Sequence, residues 1–203
     1  MNHITESSRS IHIAHDVDVV VVGSGAGGVA TAVAAARQGA NTVLIEKYGS
    51  VGGCMTTGGW AAGALDLAPL DPRRFLVAEG ESHQTAPAAH WISPLGLSEI
   101  PTDTHEYIRG CGLAGEWMAR MFDMIETSGP CPNFSNWAER IRYLFNQMLE
   151  EAGVIQMLQS YACDPIIENK NSVRGVYVQT VSGRCAVRAK VTIDATANAS
   201  LSQ

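Results

Sequence analysis

The segment from residue 16 to residue 22, DVDVVVV, runs straight into Gly23-Ser24-Gly25-Ala26-Gly27-Gly28, and an alanine-rich stretch follows as far as Gln38. A β-branched run crowds a helix but suits a pleated sheet. Ended by glycine, it reads as a strand buried on both faces of a parallel sheet. From Ala26 to Gln38 the residues Val29, Ala32, Val33 and Ala36 fall on one side of a helix, with Gly39 as its stop. Residues 41–46, NTVLIE, form a second short strand. Strand, helix and strand within about 30 residues are the size of a βαβ crossover.

The pattern G-x-G-x-x-G recurs by chance, and only its setting between a buried strand and a helix makes it specific. Each residue then has a physical task. Gly23 permits the tight turn out of the strand, Gly25 lets a pyrophosphate approach the backbone, and Gly28 lets helix and strand pack closely. The free N–H groups and the positive dipole end of the helix face a diphosphate. Glu46 ends the second strand at the spacing, about 20 residues, where an acid accepts hydrogen bonds from ribose hydroxyls. A carboxylate there repels a ribose phosphate, so NADP is disfavoured and an adenine dinucleotide without one is expected.

The chain has 203 residues, enough for one ordinary domain or one domain plus a lobe of a second. A net charge of −6 gives no cationic footprint for nucleic acid, and Arg73-Arg74 and Arg140/Arg142 read as solvated surface. Five cysteines (Cys54, Cys111, Cys131, Cys163, Cys185) contain no C-x-x-C pair, which argues against a zinc or iron–sulfur site and fits a reducing cytoplasm. The polar opening lacks a signal-peptide core, and no apolar run reaches the roughly 18 residues a membrane helix needs.

Further along, residues 48–63 form a glycine-rich loop, and residues 64–105 show no regular pattern. Residues 112–127 place Leu113, Trp117, Met121 and Ile125 at helical spacing. A second helix over 136–152 carries the stripe Ile141, Leu144, Phe145, Met148 and Leu149, with Asn136 and Glu139 as a capping pair. After Gly153 a strand is expected at 154–160, then a three-strand meander at 161–168, 173–180 and 183–190. A separate buried strand, VTIDA, follows at 191–195.

Several of these residues together resemble the two-domain flavoproteins related to glutathione reductase and to the flavoprotein of fumarate reductase. The heterodisulfide reductase-like group of FAD-dependent oxidoreductases is the nearest in kind. The resemblance rests on Ala32 and Ala36 in the helix, on Glu46-Lys47 followed by Gly52-Gly53, and on the run GGCMTTGGWAAG from Gly52 to Gly63. It continues in NWAERIRYLFNQMLEEAGV and in VTIDAT, which looks like the family's late DATG strand. It implies an α/β, Rossmann-like FAD/NAD(P)-binding domain with a parallel sheet and a β-meander, and FAD as cofactor. It further implies that Gly52 and Gly53 wrap a loop against the FAD pyrophosphate and ribityl chain. Cofactor contacts are then expected from Gly23, Ser24, Gly25, Ala26, Gly27, Gly28, Glu46, Lys47, Gly52, Gly53, Cys54, Met55, Thr56, Thr57, Gly58 and Gly59. Ala195 and Thr196 join them, and a backbone group near Cys163 meets the adenine. Ala197-Asn198 depart from the family's glycine and acid.

The resemblance divides the chain into a flexible leader (1–15), the βαβ motif with its glycine loop (16–63), an inserted lobe (64–130) and the remainder of the FAD-binding domain (131–203). It also implies that the chain stops before the fold is complete, which leaves room for a further chain that supplies the missing part. No catalytic residue has a motif behind it, and no metal site is expected. Cys54 reads as a packing residue before a redox one. His83, His90 and His105 are scattered, Trp60 suits a core as well as a flavin ring, and Arg109 suits solvent as well as a carboxylate. The reading is an FAD-dependent oxidoreductase acting on a small-molecule substrate. An NAD-binding Rossmann protein and a non-catalytic truncated nucleotide-binding fragment stand as alternatives.

Overall fold

Val19, Val20, Val21 and Val22 are buried because the strand they form, β1 (His12–Val22), has a parallel partner on each side. The computed structural model describes residues 8–57, 112–128, 134–169 and 171–201. After β1 come α1 (Ala26–Arg37) and β2 (Thr42–Ile45), then α2 (Gly112–Ser128) and α3 (Phe134–Glu151). The chain closes with β3 (Ile155–Met157), β4 (Tyr161–Glu168), β5 (Ser172–Thr180) and β6 (Gly183–Asp194). All six strands join one sheet in the order β3-β2-β1-β6-β5-β4. The pairs from β3 to β6 are parallel, and β6-β5 and β5-β4 are antiparallel. This is the α/β Rossmann-like fold with parallel sheet and meander that the sequence implies.

Two expectations need correction. The separate strands at 183–190 and 191–195 are one strand, β6, with no turn residue between Lys190 and Val191 to break it. Its first half pairs with β5 and nearly its whole length pairs with β1, so it belongs to the meander and to the parallel sheet at once. β1 starts at His12, because His12 and Ile13 pair with Cys185 and Ala186, so the sheet takes in the last residues of the stretch expected as a leader. Smaller shifts occur elsewhere. β3 is only three residues long, and α3 begins at Phe134, which places Asn136 inside the first turn and not at the cap.

The helices cover one face of the sheet. Val29, Ala32 and Val33 of α1 pack with Val19, Val21 and Leu44 and with Met121 of α2. The α3 stripe of Ile141, Leu144, Phe145, Met148 and Leu149 is buried in the same cluster, as its helical spacing predicts. Trp117 of α2 tilts against Phe145 with ring centroids 5.7 Å apart. A second cluster includes Val20, Val22, Val43 and Ile45, and it continues into Val187 and Ala189 of β6 and Val176 and Val178 of β5.

A charge network ties the three helices at their surface. Arg37 at the end of α1 grips Glu116 of α2 through both terminal guanidinium nitrogens (2.5 and 2.8 Å), and Arg120 bridges Glu116 and Glu151 of α3. The Arg37 guanidinium, reinforced by Arg120, holds the Glu116 carboxyl at about 2, against an ordinary 4.5, although partial burial pulls the other way. A depressed carboxyl stabilises the fold above its unfolded-state value and loses that contribution as pH falls through its folded value. The Glu116 contribution is therefore complete above pH 4.5 and fades on the way down to pH 2. For a partly solvated network it amounts to about 1 kcal/mol. Thermal melts at pH 6 and pH 3 check this. Glu116→Gln is expected to lower the melting temperature at pH 6 and to narrow its gap to wild type at pH 3, and a gap of constant size would count against the network.

Candidate cofactor site

Four parallel strands end in register at one rim of the sheet. Val22 is level with Ile45 on one side and Asp194 on the other, and Ile45 is level with Met157. The residues that follow these ends, Gly23, Glu46, Leu158 and Ala195, therefore converge. From β1 the chain moves outward to β2 and β3, crosses to β4 at the opposite edge, and returns through antiparallel β5 to β6 on the other side of β1. Such a reversal opens a crevice at the carboxyl ends of the strands, where α/β sheets take their ligands.

The turn after β1 is tight. Gly23 has φ +94°, its N–H donates to the Ile45 carbonyl at 2.8 Å, and a Cβ on it would meet the Ala195 carbonyl oxygen at 2.8 Å. A Cβ on Gly28 would fall 1.8 Å from the Gly23 carbonyl oxygen, so the first turn of α1 lies directly on that peptide. Gly25 differs, since a Cβ there meets nothing within 4 Å among the described residues. Gly25 is the N-cap of α1 and makes no side-chain cap hydrogen bond, and no acid occupies the first turn. The helix thus offers its orphan N–H groups and positive end to open space.

The second glycine pair is clasped onto this turn. Gly52 N–H donates to the Ser24 carbonyl at 2.7 Å, and Gly25 and Gly52 form a parallel bridge. A Cβ on Gly53 would sit 3.1 Å from Gly25 Cα, so the backbones touch there. Gly53–Met55 make a short 3-10 turn. Thr56 is buried and donates through its hydroxyl to the Val51 carbonyl at 2.6 Å, while Thr57 shares a hydrogen bond of 2.8 Å with Ser50. Met55 is buried and Cys54 is exposed and free.

Glu46 is buried at 6% exposure, and its carboxylate is held from both sides. Oε2 accepts from Ser24 N–H at 2.9 Å and Ser24 Oγ–H at 2.7 Å, and Oε1 accepts from Tyr48 N–H at 2.8 Å. Lys47 extends over the Tyr48 ring, with Nζ 4.9 Å from the centroid. On the β6 side, Asp194 accepts from Thr196 N–H (3.0 Å), Thr196 Oγ–H (2.5 Å) and Leu201 N–H (2.9 Å), which latches Ala195 and Thr196 against Gly23. Ala197 and Asn198 stand exposed in the turn beyond.

The structure thus brings together Gly23, Ser24, Gly25, Gly28, Glu46, Gly52, Gly53, Ala195 and Thr196, and places Ala26 and Gly27 at the adjoining helix start. Cys163 lies a short way past Ser160 on the edge strand β4, and its thiol contacts the Tyr161 carbonyl of its own strand. Gly58, Gly59, Trp60, His83, His90, His105 and Arg109 lie outside the described residues. Gln159 and Ser160 carry no site signal in the sequence. Their N–H groups donate to the Tyr48 and Glu46 carbonyls at 2.9 Å each, and this holds the acid's backbone in place. Gln159 has φ +50°, but a Gln-Ser pair carries no turn signature in the sequence. The latch by Asp194 has one sequence signal, its place before Ala-Thr in VTIDAT.

Fold and site combine a parallel α/β sheet with an uncapped helix start, a clasping glycine loop and a buried acid at the crevice. A sequence model of the FAD dependent oxidoreductase family matches residues 18–203, and the chain belongs to that family. Over 38 residues it is 63% identical to urocanate reductase of Eggerthella lenta, a stretch covering 19% of this chain and 6% of that protein. Over 52 residues it is 44% identical to dihydrolipoyl dehydrogenase of Manduca sexta, covering 25% of this chain and 10% of that one. The crystal structure of 3-ketosteroid-Δ4-(5α)-dehydrogenase from Rhodococcus jostii RHA1 shares the fold at 17% identity and a TM-score of 0.50, covering 90% of this chain and 46% of that chain. The matches thus span less than half the length of each of these proteins.

FAD is the cofactor of the family, and the residues present fit it: open space above Gly25, orphan N–H groups on α1 and a buried acid beside the crevice. Among the described residues no group of three or more His, Cys, Asp or Glu side chains is placed to hold a metal ion. Among them, too, no helix is long and apolar enough to cross a membrane.

Proposed function

We propose that this chain holds the adenosine diphosphate half of FAD and is the cofactor-binding part of an oxidoreductase that acts on a small molecule. One observation carries the reading: an uncapped α1 N-terminus opens onto the space beside Gly25, on the turn that Gly52 clasps and Glu46 braces. In this reading the N–H groups of Ala26, Gly27 and Gly28 orient the diphosphate, and Glu46 accepts from the ribose. Met55, Thr56, Thr57, Ala195 and Thr196 line the path toward the flavin, and a backbone group near Cys163 meets the adenine. The flavin, when bound, supplies hydride and electron transfer. The surface on its far side comes from a further segment or a further chain. The clasp favours FAD over NAD, since a nicotinamide dinucleotide has no need of a second glycine loop. Free Cys54, Cys163 and Cys185 support a reducing, cytoplasmic setting.

Gel filtration after incubation with FAD, followed by a visible spectrum, tests the reading. The chain is expected to retain a flavin spectrum, and Glu46→Ala is expected to weaken FAD and ADP about tenfold or more, the loss of a hydrogen bond to a charged acceptor. A folded chain that takes up NAD and rejects FAD, or that binds neither FAD nor ADP, would overturn it.

A further inference from the structure

The Glu46 carboxylate is nearly saturated by the protein itself. An ionised carboxylate has about four lone-pair positions, two on each oxygen. Ser24 fills both positions on Oε2, with its N–H at 2.9 Å and its hydroxyl at 2.7 Å. Tyr48 N–H fills one on Oε1 at 2.8 Å. The direction of the Ser24 hydroxyl bond is settled by chemistry, because a carboxylate only accepts. Ser24 is fully buried, so this hydroxyl has no water to turn to as an alternative acceptor.

We infer that Ser24 is a positioning residue that leaves Glu46 a single acceptor position, on Oε1, so that the ribose is recognised through one of its two hydroxyls far more strongly than the other. The inference rests on the proposed adenosine site. At this position of the G-x-G-x-x-G turn the backbone N–H alone would leave one vacancy on each carboxylate oxygen. A vicinal diol could then bind with one hydroxyl on each. The Ser24 side chain consumes the vacancy on Oε2 and turns a two-pronged contact into a one-pronged one. It also holds the carboxylate in place, with Tyr48 N–H on the opposite oxygen, so the remaining position on Oε1 has a fixed direction.

Calorimetric titration of the full chain with ADP, 2′-deoxy-ADP, 3′-deoxy-ADP and 2′,3′-dideoxy-ADP tests this. One monodeoxy form is expected to bind about tenfold or more weaker than ADP, close to the dideoxy form, as loss of a hydrogen bond to a charged acceptor requires. The other is expected to stay within about threefold of ADP. Ser24→Ala frees Oε2, and the gap between the two monodeoxy forms is expected to close to within about threefold. Equal weakening of both monodeoxy forms in the wild type, or a gap that survives Ser24→Ala unchanged, overturns the inference and leaves the adenosine site standing. Equal affinity for ADP and its dideoxy form, or a folded chain with no affinity for ADP, removes the site itself. If Ser24→Ala does not fold, the wild-type series decides alone.

Discussion

Gly28→Ala is expected to lower the melting temperature by roughly 6–12 °C, about 3 kcal/mol for a chain of this size. In most helices the change would be favourable, since alanine gains about 1 kcal/mol over glycine. Here the new methyl would lie 1.8 Å from the Gly23 carbonyl oxygen and 3.4 Å from Ala195 Cβ. The atom it strikes is backbone, held in the turn between β1 and α1, and it cannot swing aside as a flexible side chain would. Relief requires α1 to lift from the rim, which strains the contacts of Val29, Ala32 and Val33 with Val19 and Val21. Differential scanning calorimetry with and without ADP checks this, and a variant as stable as wild type would show that helix and turn have more room than the structure gives them.

Gly25→Val should have the opposite profile. Gly25 has φ −60° and ψ 176°, a conformation valine adopts readily, and a Cβ there meets nothing within 4 Å. The added Cβ therefore costs the fold little, and the melting temperature should stay within about 2 °C of wild type. The branched side chain would instead fill the space over the α1 N-terminus. FAD and ADP affinity are expected to fall about 100-fold, which corresponds to about 2.8 kcal/mol. The pair of variants separates two uses of glycine in one turn, close packing at Gly28 and ligand access at Gly25. Unchanged FAD uptake by Gly25→Val would mean that the diphosphate lies elsewhere.

How much of this was readable in advance follows sequence distance. The β1 turn, α1 and β2 carry their signals within a short window: a β-branched run, a glycine pattern, an alanine-rich amphipathic stretch and an acid at the right spacing. Local sterics and hydrophobic periodicity dictate such elements, and the structure sets Glu46 beside Ser24. The α3 stripe was legible for the same reason. The strand runs unbroken through Lys190 and Val191 because β6 is held extended by β1, with side-chain bonds that span 172 residues of chain. The Gln159-Ser160 backbone against Tyr48 and Glu46, and Arg37 gripping Glu116 across 79 residues, leave no trace in local pattern.

By itself, then, the sequence determined the α/β character, the crossover unit, the glycine turn with its acid, and the kinship with flavoproteins, because each is encoded by neighbours along the chain. The tertiary structure alone decided how far β1 and β6 extend and which backbone groups seat the acid. It also decided that Gly28 faces a wall while Gly25 faces open space, and that Ser24 takes up one side of the Glu46 carboxylate. Those outcomes depend on which distant groups meet. Strand register and burial settle that only when the whole sheet closes around β1.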